Sequence, residues 1–477
     1  SLTSEEIEHI VAQVSGGASN VQDIYPLGPL QEGILFHHMM STHGDPYILP
    51  LLFKINGTQA VTELIEALQF VVNRHDVLRT AVLWSGLSVP VQVVYRYVDL
   101  PVTWVTLTAD QDALTYMQER CAPEVQKMDL SQPSLLKLQI ARDLNSDQHF
   151  VLLQLHHVTS DHVGLEIIQK EVALYQAGQG GSLPAPIPYR EFVAHAKHQA
   201  LHNDAQSYFQ NTLGDIDEST APFGLLDVQG DGSRIIETRV MVPAEISEQL
   251  RHIAKVLMIS PAVLFHTAWA MVVAGCSSRD DVVFGTVVSG RLQGTLGAEN
   301  MLGVFINTLP LRVKLKGVTV TEVVKQVQHA LQELLSYEQA SLALAQRCSS
   351  LPSGTPLFSA LLNYRHSAVL EVANQSAPSE GDTTKTDSGF EYIGGQERTN
   401  YPFTLSVDDL GNGFELDIQV DSSMSSERIA SYMQTAVAGL VNALKFAPDQ
   451  QATSISILSE AERHQLLVEW NDTAADY

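Results

Sequence analysis

The chain of 477 residues has little positive charge and little cysteine. Lys and Arg number 28 against 54 Asp and Glu, so the net charge is -26. A chain of that sign repels phosphate groups, which argues against a nucleic-acid binder and against a protein of anionic membrane surfaces. The three cysteines, Cys121, Cys276 and Cys348, are widely separated. Their odd number and spacing predict reduced thiols in a cytoplasmic protein, without a disulfide framework or a zinc site.

Sequence motifs for cofactors and covalent catalysis are also missing. The chain has no GxGxxG or GxxxxGK[ST] loop for a nucleotide and no HExxH or CxxC pair for a metal. Because it also lacks a GxSxG nucleophile elbow, a covalent acyl-enzyme is disfavoured. The longest apolar run, 261–275, is interrupted by His266 and is too short to cross a bilayer, which favours a buried helix. The acidic residues 1–10 show no secretory signal.

The first half of the chain has clear signals for helices and strands. Thr3 and Glu6 have the spacing of a capping box, which predicts a short helix at the start. Apolar residues on both alternating sets predict a strand buried on both faces over 149–157, and Asp161 then caps a helix. The segment 178–188 is rich in Gly and Pro and is the best linker in the chain.

The second half repeats this composition. Its apolar residues predict a buried helix over 261–274 and strands over 282–288 and 305–313. Two such halves joined by a linker predict an α/β fold with an N-terminal subdomain, 18–180, and a C-terminal subdomain, 181–464.

Two adjacent histidines, His156 and His157, stand at the exit of the strand 149–157. Because neighbouring strand residues point to opposite faces, one histidine should face a cavity and the other the core. A neutral imidazole with a pKa near about 6.5 accepts a proton at cellular pH, which suits a general base. Two hydrogen-bonded core histidines are an equally good interpretation of these residues alone. Asp161 lies just beyond and is expected to hold the turn together.

A second histidine pair, His37 and His38, is followed by Gly44 and Asp45. Four histidines and two aspartates suggest a metal site, but adjacent histidines on one element do not converge on one ion, so no metal is expected. On spacing alone, the end of a surface helix is the favoured interpretation of the pair. What remains for chemistry is direct transfer, with histidine acting on a substrate held by its carrier.

The chain resembles the condensation domains of nonribosomal peptide synthetases. Residues 156–161 resemble the HHxxxDG core motif of that family, although His162 stands where the family usually has Gly. Gly permits close approach of backbone to substrate, and an imidazole adds bulk there. Other segments that match the family's motifs occur in the same order and cover nearly the whole chain: 25–33, 74–80, 189–192, 288–291, 303–312 and 466–476.

The resemblance implies a fold and a set of partners. The HHxxxD motif also occurs in acyltransferases of the chloramphenicol acetyltransferase type, which share the fold, but length and the other motifs favour the synthetase family. Two chloramphenicol-acetyltransferase-like subdomains would form a V-shaped pseudo-dimer with the active-site tunnel between them. Residues 1–17 would link to an upstream donor carrier domain, and 465–477 to an adenylation domain. A downstream carrier domain would present the acceptor. Both substrates would ride on phosphopantetheine arms, and the domain itself would bind no cofactor.

The subtype is implied by the second histidine pair. Residues 37–45 fit HHxxxxxGD, which marks the dual epimerisation/condensation class, and 341–345 and 363–365 are similar to that class too. Members invert the last residue of the donor from L to D before joining it to an L-aminoacyl acceptor. The resemblance therefore implies an epimerisation role, direct or supporting, for His37, His38 and Asp45.

The resemblance places catalysis at His156 and His157. His157 would position or deprotonate the acceptor amine, whereas Asp161 would form a buried pair with Arg291 rather than touch substrate. Two rival hypotheses remain. One is a plain condensation domain that accepts a preformed D-residue, and the other is a catalytically silent carrier-binding module, which the unusual His162 keeps open.

Overall fold

Alternating helices and strands build the protein in a computed structural model that describes residues 2–40, 44–228, 230, 232–292, 297, 300–366, 390–395, 399–465 and 467. The α/β class predicted from the sequence is confirmed. Within these residues the α-helices are α1 Ser4–Gln13, α2 Pro29–Met40, α3 Thr58–Arg74, α4 Ala113–Glu119, α5 His162–Gln176, α6 Tyr189–His202, α7 Ala205–Leu213, α8 Ala244–Leu257, α9 Pro261–Ser277, α10 Val320–Leu335, α11 Leu342–Arg347, α12 Ser426–Phe446 and α13 Glu460–His464.

The strands of the described residues form three sheets. They are β1 Val21–Pro26, β2 Ile48–Asn56, β3 Thr80–Leu83, β4 Val91–Tyr95, β5 Val102–Val105, β6 Leu136–Arg142, β7 Gln148–His156, β8 Ile235–Met241, β9 Asp281–Ser289, β10 Ile306–Lys314, β11 Ala360–His366, β12 Phe390–Gly395, β13 Phe403–Asp409 and β14 Phe414–Asp421. The strand orders are β1-β4-β3, β12-β2-β7-β6-β5 and β10-β9-β11-β13-β14-β8.

The five-stranded sheet carries the core of the first half and determines where His156 lies. Its central strand β7 pairs antiparallel with β2 on one side and β6 on the other. Val151 and Leu153 pack among the residues of α3 and α5, while Phe150 and Leu152 pack on the opposite face beside α4. The predicted strand, buried on both faces, is therefore confirmed, and its last residue is His156.

The six-stranded sheet carries the core of the second half. Alternate residues of β13 and β14 pack with the helices α9 and α12 in one large apolar cluster. Helix α9 is buried from Val263 to Ala274, which confirms the buried helix predicted from the apolar run. The strands predicted over 282–288 and 305–313 are also confirmed as β9 and β10.

The second half of the chain contributes elements to the first-half sheet and its core. Strand β12 comes from the second half of the chain but pairs antiparallel with β2, at the edge of the five-stranded sheet. Tyr189 and Phe192 of α6 contact the ring of Phe305, with ring centroids 5.6 and 4.5 Å apart. Residues beyond 180 thus contribute to both halves, and the boundary between 180 and 181 stays a prediction.

Helix α1 packs against the three-stranded sheet. It begins with the predicted capping box, in which the Thr3 hydroxyl accepts from the Glu6 N–H and the Glu6 carboxylate accepts from the Thr3 N–H. Ile10 is fully buried and packs with the apolar residues of β3 and β4. Linker roles for residues 1–17 and 465–477 stay predictions, and most of the second segment lies outside the described residues.

Two further features of the structure concern the cysteines and the possibility of a membrane-spanning helix. Cys121, Cys276 and Cys348 are all free thiols. In the described part of the chain, no single helix is both long enough and apolar enough to span a membrane. Helices α8 and α9 reach that length and apolarity only when they are taken together, and the chain bends by 112° between them.

Helix α1 should contribute to the stability of the domain. Replacing Ile10 with Ala removes a buried side chain from the contact with the three-stranded sheet and should lower the free energy of unfolding by about 2–5 kcal/mol. Ile7 lies on the same helix and is 43% exposed, so Ile7→Ala is the matched control. Chemical denaturation of both variants measures the difference, and equal small losses would mean that α1 does not pack as described.

Candidate active site

His156 and His157 lie where β7 leaves the five-stranded sheet. The N–H of His156 donates to the carbonyl of Leu135 and the N–H of His157 donates to that of Tyr47, at 3.0 and 2.8 Å. The His156 side chain is fully buried, whereas His157 is partly exposed. The two imidazoles therefore differ in exposure, as expected for neighbouring strand residues, whose side chains point to opposite faces.

Both ring nitrogens of His156 have hydrogen-bond partners, and these partners determine its tautomer. The backbone N–H of Val158 donates to Nδ1 at 3.0 Å, so Nδ1 is an acceptor and the proton of the neutral ring is on Nε2. Nε2 lies 3.0 Å from Oδ2 of Asp45 and donates to it. Burial lowers the pKa of His156 from its ordinary value, although the hydrogen bond and the charge of Asp45 act in the opposite direction.

Asp45 joins the two histidine pairs that are far apart in the sequence. The same oxygen, Oδ2, lies 2.7 Å from Nδ1 of His38, and Oδ1 accepts the N–H of Tyr47 at 2.9 Å. Burial by itself would raise the pKa of Asp45, but the hydrogen bonds from His156 and His38 outweigh burial and hold the pKa well below its usual range. Since the carboxylate is ionised it can only accept, so His38 donates from Nδ1.

Gly44 explains why the carboxylate reaches this position. A Cβ on Gly44 would lie 1.8 Å from the carbonyl oxygen of Pro123. The absence of a side chain lets the backbone approach this neighbouring segment, where the Asp45 N–H donates to the carbonyl of Gln126 at 2.9 Å. A residue with a side chain at position 44 would therefore collide with the backbone of Pro123.

The rings of His157 and His37 have other contacts than the rings of His38 and His156, which bind Asp45. Nδ1 of His157 lies 3.1 Å from the carbonyl oxygen of Ser160, which only accepts, so the neutral ring carries its lone pair on Nε2. His37 contacts the ring of Tyr47, with centroids 5.9 Å apart. Burial lowers the pKa of His37 despite the nearby charge of Asp45. The structure brings His37, His38, Asp45 and His156 together. His157 directly follows His156 in the chain.

Asp161 connects the histidine turn to the second half of the chain. Its Oδ1 accepts from the Arg291 guanidinium at 2.7 Å, and its Oδ2 accepts the N–H of Phe305 at 3.2 Å. Arg291 also stacks over the ring of Phe305, 4.0 Å from its centroid. Asp161 is the N-cap of α5 as well, because Oδ1 accepts the N–H of Gly164. The pair expected between Asp161 and Arg291 is therefore present.

Gln31 near the motif was not assigned from the sequence, whereas His162 was noted there as a departure from the family's usual Gly. Gln31 of α2 is buried and donates to the carbonyl of Val158 at 2.7 Å. This contact holds Val158 in place, and the N–H of Val158 determines the tautomer of His156. A polar residue on the buried face of a helix was the signal that could have found it. His162 begins α5 and lies 3.4 Å from Glu166 one turn later, with about a third of each side chain exposed.

His38, Asp45 and His156 also have the residue types of a metal site. Their donor atoms lie within 4.8 Å of one another. An ion bound at Nε2 of His156 would need that nitrogen free of its proton while Nδ1 still accepts from Val158, which requires a doubly deprotonated ring. The arrangement therefore suits a hydrogen-bonded network better than a metal centre.

Comparison with known proteins identifies the family. A model of the condensation domain matches residues 21–467. This chain belongs to the condensation-domain family. Condensation domains catalyse peptide-bond formation in nonribosomal peptide synthetases.

The condensation domain is similar to parts of much longer proteins. Malpinin synthetase and malpibaldin synthetase of Mortierella alpina are each 43% identical to it over 100% of this chain, which spans 6% and 8% of their lengths. A solved four-domain nonribosomal peptide synthetase, bound to AMP and glycine, has a TM-score of 0.74 at 16% identity and covers 93% of this chain, which in turn covers 34% of that chain. The expected fold with two chloramphenicol-acetyltransferase-like subdomains is confirmed.

The Asp161–Arg291 pair should stabilise this condensation domain. Only 2% of the Asp161 side chain and 7% of the Arg291 side chain are exposed. Removing either partner leaves a buried charge unpaired, so Asp161→Ala and Arg291→Ala should each lower the free energy of unfolding by roughly 3–5 kcal/mol. The double variant should lose less than the sum of the two, as measured by a denaturation cycle.

The exposed pair of Arg190 and Asp23, at 2.7 Å, is the matched control. Its double-mutant cycle should show a much smaller coupling than the buried pair, because solvent screens the charges. Additive losses at Asp161 and Arg291 would show that the buried contact does not couple the two residues.

Proposed function

We propose that this domain joins a peptidyl donor to an aminoacyl acceptor, both held as thioesters on carrier domains, and that it first inverts the last residue of the donor from L to D. His157 is the residue proposed to act in the condensation step. The observation that carries this assignment is its partly exposed ring at the strand exit, with Nδ1 held by the carbonyl of Ser160.

Amide formation needs an oriented amine and little else. The acceptor nitrogen attacks the thioester carbonyl, the carbon–sulfur bond breaks, and the thiol of the donor arm leaves. Nε2 of His157 would orient the neutral amine and take the proton that the nitrogen loses, which then passes to the departing sulfur. Asp161 takes no part in this transfer, because both of its oxygens have protein donors.

Epimerisation is supported by the second histidine pair. The donor Cα–H is only weakly acidic, so its removal needs a positioned base and a stabilised enolate. Asp45 supplies the positioning, because its buried carboxylate contacts His38 and His156 at 2.7 and 3.0 Å. His37, His38 and Asp45 are therefore proposed to serve the inversion step.

The proposed partners are supported by the relatives, because this chain matches 6% and 8% of two long synthetases and 34% of a solved four-domain synthetase. A donor peptidyl carrier domain and an acceptor carrier domain would deliver their phosphopantetheine arms to a tunnel between the two subdomains, and an adenylation domain would follow. The domain would need no cofactor of its own. Its cytoplasmic location stays a prediction.

The test of the proposed function is product stereochemistry. The domain is supplied with a donor carrier loaded with an L-configured peptide and an acceptor carrier loaded with an L-amino acid, and the product is analysed by chiral chromatography. The proposed function gives a product with D configuration at the donor residue. A plain condensation domain would use only a donor supplied in D form, and a silent carrier-binding module would make no amide from either donor.

The role of His157 predicts a loss of amide formation without unfolding. Replacing His157 with Ala removes a partly exposed ring and leaves no buried charge, so the thermal unfolding midpoint should stay near that of the parent. Turnover with a D-configured donor should fall by about 10²–10⁴, the usual contribution of a positioned base. His329→Ala is the control, since His329 is exposed on α10. A folded His157→Ala domain with parental turnover would contradict the assignment.

A further inference from the structure

The shared oxygen of Asp45 has a consequence for the chemistry of His38. A carboxylate oxygen that accepts from Nδ1 holds the ring proton on that nitrogen and leaves the lone pair of the neutral ring on Nε2. This is the way in which a buried aspartate prepares a histidine to act as a base, because it fixes the tautomer and stabilises the imidazolium that forms. About a fifth of the His38 side chain is exposed, whereas the Asp45 side chain is 4% exposed.

We propose that Nε2 of His38 is the base that removes the Cα proton of the L-configured donor, that Asp45 orients it, and that His156 is a positioning residue which holds Asp45 in place. The proposal rests on the proposed function and assigns its epimerisation step to particular atoms. It links the two histidine pairs through one carboxylate.

The contacts distinguish His38 from its neighbours. His156 cannot serve as the base, because Nδ1 accepts from Val158 and Nε2 donates to Asp45. Among the described residues, His37 makes no hydrogen bond with Asp45 and packs instead against Tyr47. His38 is therefore the ring of the pair whose tautomer Asp45 determines, and its centroid lies 6.1 Å from that of His156, the residue before His157.

The proposed step conserves protons and electrons. The Cα–H proton moves to Nε2 of His38, and the electron pair of the C–H bond passes into the thioester to give an enolate. The imidazolium of His38 is compensated by Asp45. Reprotonation of Cα by His38 restores the L residue, whereas a solvent-derived proton that arrives on the other face gives the D residue, and His38 then returns its proton to solvent.

Asp45→Asn tests the proposal with almost no change in shape. The carboxylate accepts from His38, His156 and the N–H of Tyr47, but an amide offers one accepting oxygen. If that oxygen stays with Tyr47, an amide N–H faces His38 and favours the tautomer with the proton on Nε2, which is no longer a base. Deuterium uptake at the donor Cα should then fall at least about a hundredfold, while amide formation from a D-configured donor should fall far less.

Matched variants and a spectroscopic measurement complete the experiment. Asp217→Asn is the control, since Asp217 is exposed. His38→Gln should lose deuterium uptake as Asp45→Asn does, and His37→Gln should lose less. His156→Gln keeps an N–H donor for Asp45 and should retain more uptake than His156→Leu. Nitrogen-15 spectra of the intact domain, with His38 assigned by its Gln variant, should show Nδ1 protonated in the parent and Nε2 protonated in Asp45→Asn.

The outcomes separate this proposal from the proposed function. A parent domain that takes up no deuterium from an L-configured donor would overturn epimerisation itself, and the assignment of a base with it. A parent that exchanges while Asp45→Asn exchanges equally well, or loses both activities to the same extent, would overturn the role of Asp45 alone. A His38 ring protonated on Nε2 in the parent would also contradict it.

Discussion

The contact between Asp161 and Arg291 is the interaction on which the active site depends. The two residues are 130 positions apart, and they tie the turn that follows His157 to the chain segment that leaves β9. The same carboxylate caps α5 and accepts the N–H of Phe305, so one buried charge fixes the end of a strand, the start of a helix and the approach of the second half. Since both charges are shielded from water, loss of either one is costly.

A second buried carboxylate, that of Asp45, positions the side chains of two histidines. It accepts from two histidines that come from different motifs, and Gln31 and Val158 hold one of those histidines in a single tautomer. The domain thus places two imidazoles, those of His38 and His156, beside one another with their ring protons directed at one carboxylate. Such an arrangement suits two reactions that differ in their demands, since inversion at Cα needs a strong, oriented base and amide formation needs mainly orientation.

Much of the fold follows from local patterns, but the site does not. The capping box at Thr3, the strand that ends at His156 and the buried helix α9 were predictable, because their residues follow the periods of strands and helices. The pairing of β12 with the first-half sheet was not, since edge pairing is a tertiary choice that leaves no period in the sequence. His38 on spacing alone indicated a helix end, because its partner Asp45 becomes significant only when Gly44 packs against Pro123.

The central claim is that one active site inverts the donor residue and then forms the amide. A single-turnover reaction with an L-configured donor deuterated at Cα tests it most directly, with the mass and configuration of the product measured together. The account predicts a product with D configuration that has lost its deuterium. An L-configured product that retains the deuterium would show that condensation proceeds without inversion and would contradict the account.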